Sequence, residues 1–102
     1  MATTTGVEWV AVAPEARRVL RELRTQLGLS RATIEQRAHV GTDYMKHLES
    51  GRHPRLEATR LRRVVQVLQQ AVARRQVAAP LTTRFARVIK VVGQSGKSAG
   101  KR

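Results

Sequence analysis

Four polar side chains with hydrogen-bonding chemistry, Thr42, Asp43, Lys46 and His47, are interleaved with the apolar Met45 and Leu48. On a helix with Met45 and Leu48 turned inward, those four face outward near its start and offer a hydroxyl, a carboxylate, an ammonium and an imidazole to whatever lies opposite. Other chemistries fare worse. His39, His47 and His53 are eight and six residues apart, and no cysteine or carboxylate cluster completes a ligand set, so no metal site is expected. Neither a Ser/His/Asp set nor a carboxylate pair stands at useful spacing, and 102 residues of aliphatic, helix-forming character leave little room for a pocket. No catalytic residue, cofactor or small-molecule substrate is expected, and the chain does not read as an enzyme. Residues 93–98, GQSGKS, imitate the end of a phosphate-binding loop. The first glycine of that motif would fall at position 91, which is Val91, and no helix of useful length can follow Ser98.

Charge narrows the class of partner. Residues 1–51 carry seven Lys/Arg against six Asp/Glu, a net of +1, whereas residues 52–102 carry thirteen against Glu57 alone, a net of +12. No acidic side chain occurs in the 45 residues after Glu57. Such a field attracts polyanions, because each neutralised phosphate releases counterions. The absence of cysteine excludes disulfide staples and fits a reducing compartment. The longest apolar run, around Val88 to Val92, is far too short to span a bilayer, and the start of the chain lacks the pattern of a signal peptide. A soluble, cytoplasmic protein without membrane association is expected.

The elements that must position the polar set are helical. Pro14 and Glu15 suit the first turn of a helix whose apolar stripe is Ala16, Val19, Leu20, Leu23 and Leu27, stopped by Gly28. Ser30 is an N-cap for a two-turn helix carrying Ile34 and Ala38, interrupted at His39-Val40-Gly41. Residues 42–50 form a third helix ended by Ser50-Gly51, with Pro54 beyond it. Leu56, Leu61, Val64, Val65, Leu68 and Val72 mark a fourth helix reaching to about Arg75. Residues 77–92 form a further helix, or a strand on account of their β-branched density, and offer a dimerisation segment. Residues 1–13 form an N-terminal arm, drawn here as a flexible leader, although the run from Val7 to Val12 would also suit a strand. Residues 93–102 are expected to be a disordered basic tail.

Two short helices joined by a tight turn within an aliphatic helical domain make a helix-turn-helix. The runs LRTQLGLS (23–30), RAHV (37–40) and YMKHLESG (44–51), followed by Pro54 and Leu56, resemble the phage-repressor, Xre/Cro-like family over residues 15–70. The resemblance implies an all-α, four- or five-helix lambda-repressor-like domain of residues 14–76, with residues 42–50 as the recognition helix. It also implies a homodimer on double-stranded DNA. Thr42, Asp43 and His47 match positions that read base edges, and Lys46 lies at the margin of that face. Arg52 and His53 match a phosphate contact. Arg31, at a helix start, and Arg55 join the phosphate-contacting set, as does Tyr44, which could alternatively cover the helix pair. Arg24 and Glu49 match a structural ion pair between the first and third helices. Two positions depart from the family: Glu35 stands where a small residue is usual, and His39 where glycine is usual.

These readings lead to a sequence-specific transcriptional regulator of phage or bacterial type, a repressor by resemblance. The alternatives are an architectural or host-directed module without operator specificity, favoured by the basic second half, and the antitoxin of a toxin–antitoxin pair.

Overall fold

The computed structural model describes residues 8–75 and 77–97. Their element order is β1 (Trp9–Ala11), α1 (Pro14–Leu27), α2 (Arg31–Ala38), α3 (Tyr44–Ser50), β2 (Arg55–Glu57), α4 (Ala58–Arg74) and α5 (Ala79–Lys97). The expected helical class is what the chain adopts, with five helices and a two-stranded antiparallel sheet as an accessory among the described residues.

Local chemistry sets most helix boundaries. Pro14 occupies the first turn of α1, and Gly28 ends that helix at φ 71°. The Gly28 and Leu29 amides then donate to the carbonyls of Thr25 and Arg24, so two of the last carbonyls of α1 are satisfied. Ser30 caps α2, its Oγ accepting from the Thr33 amide at 3.1 Å. Pro80 sits in the first turn of α5, where its missing N–H costs nothing.

The core is aliphatic. Leu20 and Leu23 of α1, Ile34 of α2, Met45 and Leu48 of α3, and Leu61 and Leu68 of α4 are each fully buried. Each such side chain contributes roughly 1.5–3 kcal/mol relative to solvent exposure. Leu81, Phe85, Val88 and Val92 of α5 belong to the same cluster, and α5 packs on α1 and α4. Arg84 of α5 adds ion pairs to Glu15 at 2.8 Å and Glu22 at 3.5 Å on α1.

Four expectations are corrected. The arm is not a free leader where it is described: β1 pairs with β2 in the register Trp9↔Glu57, Val10↔Leu56, Ala11↔Arg55, and Val10 and Val12 are buried. Leu56 lies in β2, so the fourth helix starts two residues later than the apolar spacing placed it. Residues 81–92 adopt the helix of the two alternatives, and what is corrected is their availability for dimerisation: because Leu81, Phe85, Val88 and Val92 are consumed by the chain's own core, that face is not free to join a second copy. Helix α5 continues to Lys97, so residues 93–97 are not the disordered tail expected of them. The expectations for residues 1–7 and 98–102 lie outside the described residues. Among the described residues no helix is long and apolar enough to cross a membrane, and no group of three or more His, Asp or Glu could hold a metal ion.

Candidate nucleic-acid interface

The site is built around a helix of seven residues, α3, about 10 Å long. Alone it could not persist in water, where helices of this length are not stable without tertiary support. Its inward side is Tyr44, Met45 and Leu48, all buried. Lys46 is exposed and His47 half-buried, so these two point out of the domain as the sequence reading required. Thr42 and Asp43 are exposed as well, but they precede the helix. The expected start at residue 42 is therefore corrected to Tyr44: Asp43 is in the left-handed region at φ 71°, which a helix cannot include.

The turn between α2 and α3 is unusually demanding. His39, Gly41 and Asp43 all have positive φ, at 55°, 89° and 71°. His39 fills the left-handed C-cap position of α2, where a side chain costs on the order of 1 kcal/mol relative to glycine. Asp43 does not cap α3 with its own carboxylate. Glu35 of α2 does so from outside, its Oε2 accepting from the Met45 amide at 3.0 Å. A carboxylate there satisfies one of the helix's open N–H groups and opposes the positive end of its dipole. The Glu that departed from the family pattern thus has a role in the turn.

At its other end α3 is held by Arg17 of α1, a residue that sequence reasoning missed. Arg17 is only 5% exposed and makes no ion pair among the described residues. Its guanidinium donates to the Leu48 carbonyl at 2.7 Å, the His47 carbonyl at 3.2 Å, the Val12 carbonyl at 3.0 Å and the His53 carbonyl. One buried cation therefore caps the negative end of α3 and also fastens the arm and the turn after α3. Burial pushes its pKa below the usual arginine value, while the nearby Tyr44 opposes the shift. The acceptors are backbone carbonyls, which carry no sequence signature.

Two turns along α1, Arg24 forms the expected ion pair with Glu49, Nε to Oε2 at 2.6 Å and Nη2 to Oε1 at 3.2 Å. The Glu49 side chain is 2% exposed, so this is an interior pair in bidentate geometry. Arg24 also donates to the Leu29 carbonyl at 3.0 Å. Arg31, expected at a phosphate, places its Nε 3.0 Å from Glu49 Oε1 and remains exposed on its outer side. Its charge is thus partly engaged within the domain.

The remaining candidates divide. Arg52 is exposed, with its amide donating to Ser50 Oγ at 3.2 Å. His53 is exposed and its ring meets that of His47 edge-on, centroids 4.5 Å apart, so the structure brings these two histidines together. Arg55 is exposed on β2, opposite Ala11. Tyr44 is corrected: its residue is buried and its hydroxyl, inaccessible to solvent, has no hydrogen-bond partner among the described residues. Burial is the main cause that raises its pKa, and the charge of Glu57 adds to it against Arg60 and Arg17. A hydroxyl enclosed in this way is closed to a phosphate, so Tyr44 serves packing.

A short exposed helix, braced by a preceding helix across a tight turn and seated on an aliphatic core, defines the helix-turn-helix class of DNA-binding domain. The family model for a helix-turn-helix domain matches residues 15–78, and the chain belongs to that family. No curated protein and no solved structure matches the chain.

Proposed function

We propose that this protein is a sequence-specific, double-stranded-DNA-binding transcriptional regulator of phage or bacterial type, akin to the Xre/Cro-like repressors, acting in the cytoplasm and reading the major groove with α3. The observation that carries the reading is the two-sidedness of α3: Met45 and Leu48 are fully buried while Lys46 and His47 project from a surface fixed at both ends. Lys46 and His47 donate to guanine edges, Thr42 offers its hydroxyl or methyl, and Asp43 accepts from cytosine N4. Arg52, His53 and Arg55, on the turn and strand after α3, take phosphates and set the register. Arg31 does so with its free side while Glu49 holds the other. The working form on DNA is a homodimer, placing two recognition helices on half-sites one helical turn apart. Since the apolar face of α5 is used internally, the dimer draws on other groups. Trp9 and Val91 are the large apolar side chains left exposed among the described residues.

The test is selection of bound duplexes from a random pool, followed by Lys46→Ala/His47→Ala. The double variant should lose its preference for the selected site by tenfold or more, each base contact being worth about 1–3 kcal/mol, while salt-sensitive bulk affinity persists. Unchanged preference would place the reading surface elsewhere. The excess of +12 in residues 52–102 favours a second reading, a module that binds DNA without operator specificity. Equal affinity for random and selected duplexes at fixed salt would establish that one instead.

A further inference from the structure

We infer that the surface between α2 and α4 is a second phosphate-binding face, which takes the backbone of another DNA segment while α3 holds the first. The inference rests on the reading of α3 as a DNA contact. Two depressions adjoin there, sharing Arg37, Val67 and Gln70 among their lining residues, and no residue of α3 lines either. Among the polar groups around them are Arg37, Arg63, Gln66, Gln70, Arg74 and Arg75, all exposed. Arg63, Gln66, Gln70 and Arg74 recur at three- and four-residue spacing, so they form one stripe along α4. From Arg63 to Arg74, eleven steps along the helix, it extends about 16 Å at the rise of an α-helix, several times the axial spacing of about 3.4 Å between phosphates of one strand.

The carboxylates of the chain are committed elsewhere. Glu8 pairs with Arg62, Glu15 with Arg18 and Arg84, Glu22 with Arg84, Glu49 with Arg24 and Arg31, and Glu57 with Arg60. Glu35 caps α3 and Asp43 lies in the turn before it. No acidic side chain lines either depression. A merely solubilising surface would intersperse both signs of charge. Two of the guanidinium groups are also held in place: Arg75 Nη1 donates to the Leu27 carbonyl at 2.7 Å, and Arg63 Nη1 to the His39 carbonyl at 3.4 Å. Both carbonyls lie at helix C-termini, which favour cations, and each arginine retains further N–H groups for an anion. An acidic protein partner fits less well, because a stable protein interface needs a desolvated apolar or aromatic centre, whereas no Phe, Tyr or Trp side chain lines either depression and their apolar residues are buried apart from the half-buried Leu29 and Ala71. A phosphate backbone needs only the row of donors.

The test immobilises a duplex bearing the selected site, loads the full chain, and measures capture of a second, labelled random duplex across salt. The wild-type chain should capture it. Arg37→Ala/Arg63→Ala/Arg74→Ala should reduce capture at least tenfold and lower the salt slope by about 2 to 3, with affinity for the first duplex changed less than threefold. Gln66→Glu/Gln70→Glu, which removes no cation, should act in the same direction. Unaltered capture in both variants overturns the proposal, as does poly-glutamate displacing the second duplex more effectively than DNA of equal charge, which would point to an acidic protein. A wild-type chain that binds one duplex and never a second sinks this face alone and leaves α3 intact. Loss of all DNA binding in the triple variant, with site preference surviving in Lys46→Ala/His47→Ala, would remove the role of α3 and leave the α2–α4 face as the binder.

Discussion

The two ends of α3 are secured by opposite means. At its C-terminal end a buried guanidinium reaches four carbonyls, and an interior ion pair lies one residue beyond the last of the helix carbonyls it caps. At its N-terminal end there is one half-buried carboxylate and a turn with three positive-φ residues. The difference shows where rigidity is needed. Register relative to the domain is fixed at the rear of the helix, whereas the segment carrying Thr42 and Asp43 keeps fewer constraints, which under the proposed function lets it settle onto bases.

Substitutions can break or sharpen this contrast. Arg17→Ala should have the largest effect, leaving buried carbonyls unsatisfied at a cost on the order of 3 kcal/mol or more in urea unfolding. Arg17→Lys should recover only part of it, since one ammonium cannot reach four acceptors in the same geometry. Arg24→Ala should cost about 1–2 kcal/mol by the same measurement, Arg31 remaining to partner the enclosed Glu49 carboxylate. Glu35→Ala should cost about 1 kcal/mol, the worth of a cap and a favourable dipole contact. If its cost equalled that of Arg17→Ala, the proposed asymmetry between the ends would be wrong.

Tyr44→Phe is expected to have the smallest effect at neutral pH, between no change and a gain of about 1 kcal/mol, because it deletes a buried hydroxyl without a partner among the described residues. Affinity for DNA should not move. The pH dependence has a defined sign. The folded state raises the Tyr44 pKa above its ordinary value of 10.0, so the unfolded chain releases the proton first and stability falls as pH climbs past about 10. Tyr44 is the chain's single tyrosine, so thermal melts of Tyr44→Phe between pH 9 and 11 should show a flatter loss than wild type. A parallel decline in both proteins would trace it to other groups.

What could be read from the sequence was whatever is local or recurrent. The stripe of α1, the Ser30 cap and the Gly28 stop are encoded within a few residues of where they act, and Arg24–Glu49 was accessible through family resemblance. The first strand was legible only as one alternative for the run from Val7 to Val12, and the second not at all, because three residues each are too few to display alternation and Leu56 fits a helical stripe as well as a strand. The start of α3 was misplaced since nothing in Thr42-Asp43 announces a left-handed Asp. Glu35 registered only as a departure from the family pattern, because its partner is a main-chain N–H ten residues away. Arg17 was invisible for the same reason, four times over.

The family match ends at residue 78, one position before α5 begins, yet Phe85 and its neighbours roof the same interior as α1. The homologous segment and the packed core therefore have different borders in this molecule. During synthesis the recognition module emerges from the ribosome with the flank of α1 uncovered, and that flank is sealed only when the last helix arrives. A fragment trimmed to the homologous segment would inherit the motif but expose an oily seam, and should clump where the longer chain stays dispersed.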